Sequence, residues 1–198
     1  MYETQPRYRH WTRQEYYCAA EQGIFHPDER LELFRGRIVQ KMSPQGHPHA
    51  KIVTKTVKTL ESVFASGCYV VSQQPLYVSE ESEPEPDVMV VNGTVDDYED
   101  HPTPADILLL VEVSDSTIRF DRQDKAALYA EAGVAEYWII NVQARTLEIC
   151  LDPAPMEEEP YGFGYRSRNI YVETATVTPL AAPQSTVRVA DLLPRPNA

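Results

Sequence analysis

The chain has 198 residues, with 18 Lys plus Arg against 30 Asp plus Glu, a formal net charge of −12 and 42% hydrophobic residues. That composition suits one globular domain with a sizeable core and excludes a disordered chain. Apolar runs such as Ile107 to Val111 stop far short of the roughly 20 residues of a membrane span, and the polar start Met1-Tyr2-Glu3-Thr4-Gln5-Pro6 carries no signal-peptide apolar segment, so a cytoplasmic location is the expectation.

Thr12 and Glu15 form a T-x-x-E capping pattern and Gly23 stands where a helix ends, which predicts a helix over 13–22. Leu31-Glu32-Leu33-Phe34, the turn Arg35-Gly36 and Arg37-Ile38-Val39 read as a hairpin. A second helix is predicted over 48–65, where Val53, Val57, Leu60 and Phe64 make one apolar stripe and Lys51, Lys55 and Lys58 a basic one. The basic stripe reads either as a solvated face or as a phosphate-contacting one, the latter against an acid excess that disfavours unspecific nucleic-acid binding. Strands follow at 69–72 and 76–79, then the acidic, proline-rich run from Glu80 to Asp87, the buried strand Val88-Met89-Val90-Val91 and a polar loop over 92–104. The segment 107–113 reads as a central strand, followed by a helix over 122–132 with Asp121 as N-cap and Gly133 as terminator, and then the strand Tyr137-Trp138-Ile139-Ile140. Strand, helix and strand in that space form a βαβ unit with a parallel pair. Beyond a break at 152–160, residues 166–193 read as further β structure. Cys18, Cys68 and Cys150 are widely spaced and form no C-x-x-C pair, so they read as reduced thiols.

Asp87 directly precedes one apolar strand, and Glu112 interrupts another, Leu108-Leu109-Leu110-Val111-Glu112-Val113. A carboxylate in an apolar strand is costly unless it is paired, faces solvent or binds a cation. Oxygen ligands of this kind suit Mg²⁺ or Mn²⁺. Lys125 falls near the start of the following helix, at the sheet end where the Glu112 strand finishes, so the two are expected to meet. Two acids and a lysine at one sheet end suit phosphodiester hydrolysis. Zinc at His47-Pro48-His49 lacks a third nearby ligand. A Ser114–His49–Asp triad lacks a G-x-S-x-G elbow, and no phosphate-binding glycine loop occurs. The run Tyr161-Gly162-Phe163-Gly164-Tyr165 reads as an ordinary turn with aromatic packing.

The ordered set Pro86-Asp87, Val111-Glu112-Val113-Ser114, Asp121, Lys125, Tyr129, Gly133 and Glu136-Tyr137-Trp138, together with the hairpin Glu32-Leu33 to Gly36 and Met42-Ser43-Pro44 to His49, resembles the PD-(D/E)XK nuclease superfamily and, within it, the Uma endonuclease family. The resemblance covers about 12–149 and extends more weakly to Leu193. It implies an α/β, restriction-endonuclease-like mixed sheet with flanking helices, in one domain over 1–198 whose core is about 12–150 and whose 151–198 segment is a C-terminal β extension. It also implies a metal-dependent endonuclease acting on nucleic acid, DNA foremost. Asp87 and Glu112 would hold Mg²⁺ or Mn²⁺ with the Val113 carbonyl, and Glu32 would be an additional acid. Ser114 stands where the E-x-K half-motif has lysine, and Lys125 looks like its migrated replacement. His49, with Lys51, Lys55, Lys58, Arg119 and Arg122, would reach substrate. A homodimer is expected by analogy, since duplex cutting needs two centres. The alternative is a nucleic-acid- or protein-binding module that keeps the fold without cleavage.

Overall fold

The computed structural model describes residues 8–41, 47–64 and 66–195. Helix α1 (Arg13–Glu21) starts at the expected capping box: the Thr12 N–H donates to Glu15 Oε2 at 3.1 Å, and Thr12 Oγ1 accepts from the Glu15 N–H at 3.3 Å. Strands β1 (Leu31–Phe34) and β2 (Arg37–Gln40) pair antiparallel around a two-residue turn. Helix α2 (His47–Val63) follows, then β3 (Cys68–Val71), β4 (Val88–Asn92) and β5 (Ile107–Ser114). The predicted strand over 76–79 forms no ladder: Leu76 N–H bonds to Pro84 O, Val78 N–H to Ser82 O and Tyr77 N–H to Pro102 O. Its neighbour carries Pro84 and Pro86, which have no N–H to return.

After β5 the chain turns into α3 (Ile118–Phe120), a π-helical turn (Asp121–Lys125) and α4 (Ala126–Glu131) without a break. The predicted start at residue 122 is corrected: the Asp121 N–H already bonds to Thr117 O at 3.0 Å, so Asp121 lies inside the helix and is not its N-cap. Ser116 and Thr117 lead into the helix, with the Thr117 carbonyl accepting from the Asp121 N–H. Strands β6 (Glu136–Asn141), β7 (Thr146–Pro155), β8 (Phe163–Val172), β9 (Thr176–Val177) and β10 (Val187–Arg188) lead to a final turn of helix, α5 (Val189–Leu192), inside the segment read as β structure.

Six strands form one mixed sheet in the order β3-β4-β5-β6-β7-β8, so β7 and β8 complete the sheet that β5 centres. The β5–β6 pair is parallel, as the βαβ reading requires, and the other pairs are antiparallel. Alternation along the strands sends side chains to two faces. Val88, Val90, Leu109, Val111 and Trp138 pack against Ile52 and Leu60 of α2. Met89, Leu110, Tyr137 and Ile139 pack against Leu128 and Tyr129 of α4. Glu112 shares the α4 face with Leu110, and this parity delivers its carboxylate to the helix that carries Lys125. Among the described residues no helix is long and apolar enough to cross a membrane.

Candidate active site

The expected acids and lysine meet at the carboxyl end of β5. Lys125 Nζ donates to Glu112 Oε1 at 2.8 Å, and Tyr129 OH donates to the same oxygen at 2.9 Å. Lys125 and Tyr129 are four residues apart and therefore share a helix face. The π turn, a geometry found often at functional sites, carries both Asp121 and Lys125 into the interior. Glu32 arrives from β1, with Oε2 at 3.6 Å from Lys125 Nζ, at 3.6 Å from Lys41 Nζ, and accepting from the Glu85 N–H at 3.2 Å. Asp87, on the residue before β4, accepts from the Val113 N–H at 2.8 Å through Oδ2, and His49 Nε2 lies 3.1 Å from that oxygen.

All of these acids are withdrawn from water: Glu32, Asp87, Glu112 and Asp121 are each at most 7% exposed, as is Lys125. Burial pushes the Glu112 carboxyl up to about 8, against the pull of Lys125 and with the added repulsion of Asp87 and Asp121. Burial also raises Asp121. For Lys125 burial opposes the charge, but the attraction of Glu112, Glu32 and Asp121 outweighs it and raises the amine, which stays an ammonium. One buried ammonium is thus shared among several carboxylates, and Glu112 is the acid left short of positive charge. Asp87 differs: burial again opposes ionisation, but the His49 hydrogen bond and charge, with the Val113 N–H, hold its pKa below the ordinary value.

His49 is raised in turn, since burial lowers it but Asp87 and Glu112 outweigh burial. The contribution of the His49–Asp87 pair to stability is therefore full below the ordinary histidine value of about 6.5, once Asp87 is ionised, and is lost as pH rises through the raised His49 pKa. In metal-free protein, imidazole NMR titration should place the His49 midpoint above that ordinary value, and Asp87→Asn should bring it down. A midpoint unmoved by Asp87→Asn would remove the pair as the cause.

The donor set fits a hard divalent cation. Asp87 Oδ2 and Glu112 Oε1 are engaged, while Asp87 Oδ1 and Glu112 Oε2 have no hydrogen-bond partner among the described residues. The N–H of Val113 faces Asp87 whereas the Ser114 carbonyl faces the β6 side, accepting from Val142. The Val113 carbonyl, which points to the same side as its own N–H, therefore turns toward Asp87. Among the described residues no three His, Cys, Asp or Glu side chains are arranged as a metal cage. Mg²⁺ does not require one: it binds through one or two carboxylates and keeps several waters.

The residues expected at substrate are more dispersed. Lys51 and Lys58 are exposed on α2, and Lys55 is half-buried, its Nζ donating to the Leu193 carbonyl. Arg119 is exposed and bonds to Gln123 at 3.1 Å. Arg122 pairs with fully buried Glu148, its Nε lying 3.0 Å from both carboxylate oxygens. Glu112, Ile139 and Glu148 stand side by side across β5, β6 and β7, so the π turn is tied to one row of the sheet by Lys125 and Arg122. Among the described residues Ser114 Oγ is buried without a partner and the His49 Nε2 faces Asp87, so no Ser–His–Asp triad forms among them. His47 and residues 42–46 lie outside the described side chains. Sequence reasoning missed Lys41, Glu85 and the role of Tyr129. The four-residue spacing from Lys125 could have found Tyr129; no local pattern points to Lys41, which meets Glu32 only through hairpin pairing.

The sequence model of the Uma2 family, described as "Putative restriction endonuclease", matches residues 13–188. The fold is similar to the crystal structure of a "putative nuclease belonging to DUF820" from Anabaena variabilis, at a TM-score of 0.63 and 16% identity, covering 91% of this chain and 96% of that one. At that identity the likeness concerns the fold. No curated protein matches the chain. The family match runs from the first residue of α1 to the last of β10 and includes every acid and the lysine gathered at the end of β5, and on that extent the chain belongs to the Uma2 family.

Proposed function

We propose that the protein is a metal-dependent endonuclease that hydrolyses nucleic-acid phosphodiester bonds, with DNA as the first substrate to test and a homodimer as the form that would cut a duplex. The observation that carries this reading is the buried contact of Lys125 Nζ with Glu112 at 2.8 Å, beside an Asp87 carboxylate anchored on the Val113 amide. Asp87 and Glu112, with the Val113 carbonyl, would hold Mg²⁺ or Mn²⁺, which when bound supplies Lewis acidity and lowers the pKa of a water. Lys125, kept charged and out of water, directs a positive charge at the phosphate as negative charge develops there. Glu32 and Tyr129 fix the Lys125 and Glu112 side chains, so little reorganisation is needed when the charge appears. His49 holds Asp87 and lies at the foot of α2, whose Lys51, Lys55 and Lys58 form a positive rib in a net-acidic chain.

The net charge of −12 favours a second reading, a binding module without cleavage. The assay that separates them is cleavage of plasmid and single-stranded substrates with and without Mg²⁺ or Mn²⁺. Cleavage that requires the metal supports the enzyme; binding of nucleic acid with no cut under any metal supports the module. Replacing Lys51, Lys55 and Lys58 together with alanine is expected to weaken binding and reduce the slope of log affinity against log salt by about one unit per lost phosphate contact. An unchanged slope would make that face merely solvated.

A further inference from the structure

The turn of the β1–β2 hairpin breaks a backbone rule. Arg35 and Gly36 have φ of +48° and +70°, the type I′ geometry in which asparagine or glycine is favoured at the first position. Tyr161 breaks the same rule, with φ of +59°. The two side chains meet: the Arg35 guanidinium carbon lies 4.1 Å from the centre of the Tyr161 ring. Arg35 also pairs with Glu131 at 2.6 Å, and among the described residues its buried Nε has no partner. Two bulky residues in left-handed backbone, stacked on each other from distant parts of the chain, stand at a cleft of about 940 Å³.

The cleft borders the candidate active site. Its floor includes Phe34, Phe120 and Leu128. Phe34 lies two residues beyond Glu32 on β1, and the Phe120 ring is 5.9 Å from Lys125 Nζ. Among its lining residues, Arg35 and Arg37 are outnumbered by Glu80, Glu81, Asp124 and Glu131. Such a rim repels a phosphate, so the strand's backbone is not its occupant. A flat, uncharged heterocycle suits the apolar floor and stacks on a guanidinium plane backed by a ring. Asp124 receives the Tyr161 hydroxyl and Glu131 the Arg35 Nη2, each through one oxygen. Among the described residues the second oxygen of each has no partner and is left to accept, and a carboxylate accepts from the exocyclic amino group of a base such as cytosine.

We propose that this cleft receives one unpaired nucleobase of the substrate, stacked on the Arg35–Tyr161 pair, and favours bases with an exocyclic amino group. The proposal rests on the nuclease reading for its biological sense, but its test does not require cleavage. Cytidine and uridine differ at the relevant position by an amino group against a carbonyl. NMR titration of the full chain with each nucleoside should show tighter binding of cytidine. Fluorescence anisotropy of oligo-dC against oligo-dT, in the metal-free protein, should show the same order when the base belongs to a strand. Arg35→Asn and Tyr161→Gly both suit left-handed backbone, so each should raise the melting temperature or leave it unchanged. Each should nonetheless weaken cytidine binding about tenfold, the scale of one lost stacking contact. Equal affinity for cytidine and uridine, no binding of either, or unchanged affinity in both variants would overturn the proposal. So would a large fall in melting temperature in both variants, which would make the pair a structural strut. The nuclease reading fails separately, by absence of metal-dependent cleavage while the nucleoside preference persists.

Discussion

Glu112→Gln is expected to abolish Mg²⁺- or Mn²⁺-dependent cleavage while leaving the protein folded. The substitution keeps the length and a carbonyl oxygen that can still accept from Tyr129 and Lys125, the two donors now on Glu112 Oε1. What it removes is the charge that would hold a cation together with Asp87. The fold tolerates that loss because the ionised form is already disfavoured: burial pushes this carboxyl up to about 8. An acid whose folded pKa lies above its unfolded one binds more protons when folded, so it costs stability as pH rises. For Glu112 the window runs from its ordinary 4.5 to about 8. Metal-free protein should therefore lose stability across that window, and the glutamine variant should show a flatter dependence in thermal melts. Added Mn²⁺ should raise the melting temperature of the parent by mass action and leave the variant unmoved. An equal Mn²⁺ shift in both proteins would take Glu112 out of the metal site, and undiminished cleavage by the variant would take it out of the reaction.

Several elements are legible in the sequence because their signals are local. The capping box at Thr12 and Glu15, the hairpin at Arg35-Gly36 and the apolar run into Glu112 each declare an element within a few residues. The meeting of Glu112 with Lys125 followed from one topological rule, since a parallel crossover returns the helix start to the end of the strand it leaves. What local patterns do not carry are non-local contacts and backbone that departs from a regular period. Arg122 faces Glu148 because a π turn sets the helix against the β5–β6–β7 row, and a 3.6-residue period contains no warning of that. Lys41 meets Glu32 across the hairpin while also donating to the Glu85 carbonyl, a contact between segments more than forty residues apart. Asp121 looked like an N-cap because aspartate before an apolar stretch usually is one. Here it is buried, bonded to Thr117 at 2.6 Å, and part of the acid excess around Lys125.

Lys125→Met should have the opposite balance of effects from Glu112→Gln. Methionine matches the length and fills the apolar part of the site, so little packing is lost. The ammonium, however, is the buried counter-charge for Glu112 at 2.8 Å and for Glu32 at 3.6 Å, and burial denies those acids water as a substitute. Breaking a buried pair by removing one partner costs about 3–5 kcal/mol. In metal-free protein the melting temperature should therefore fall, most sharply above about pH 8, where Glu112 is ionised. The deficit should shrink as pH drops, because the orphaned carboxylates can then take up protons. Metal affinity should survive and even rise, since Asp87 and Glu112 remain and a competing cation has gone; Mn²⁺ titration calorimetry measures it. A bound divalent ion would also replace part of the missing charge, so Mn²⁺ should restore much of the lost stability. Cleavage should not return with it. Losing one charge-stabilising donor costs roughly 10²–10³-fold in rate, and on the proposed reading Lys125 is that donor. If Lys125→Met cuts as fast as the parent once Mn²⁺ has restored its fold, Lys125 is a structural counter-ion only, and some other group meets the transition-state charge.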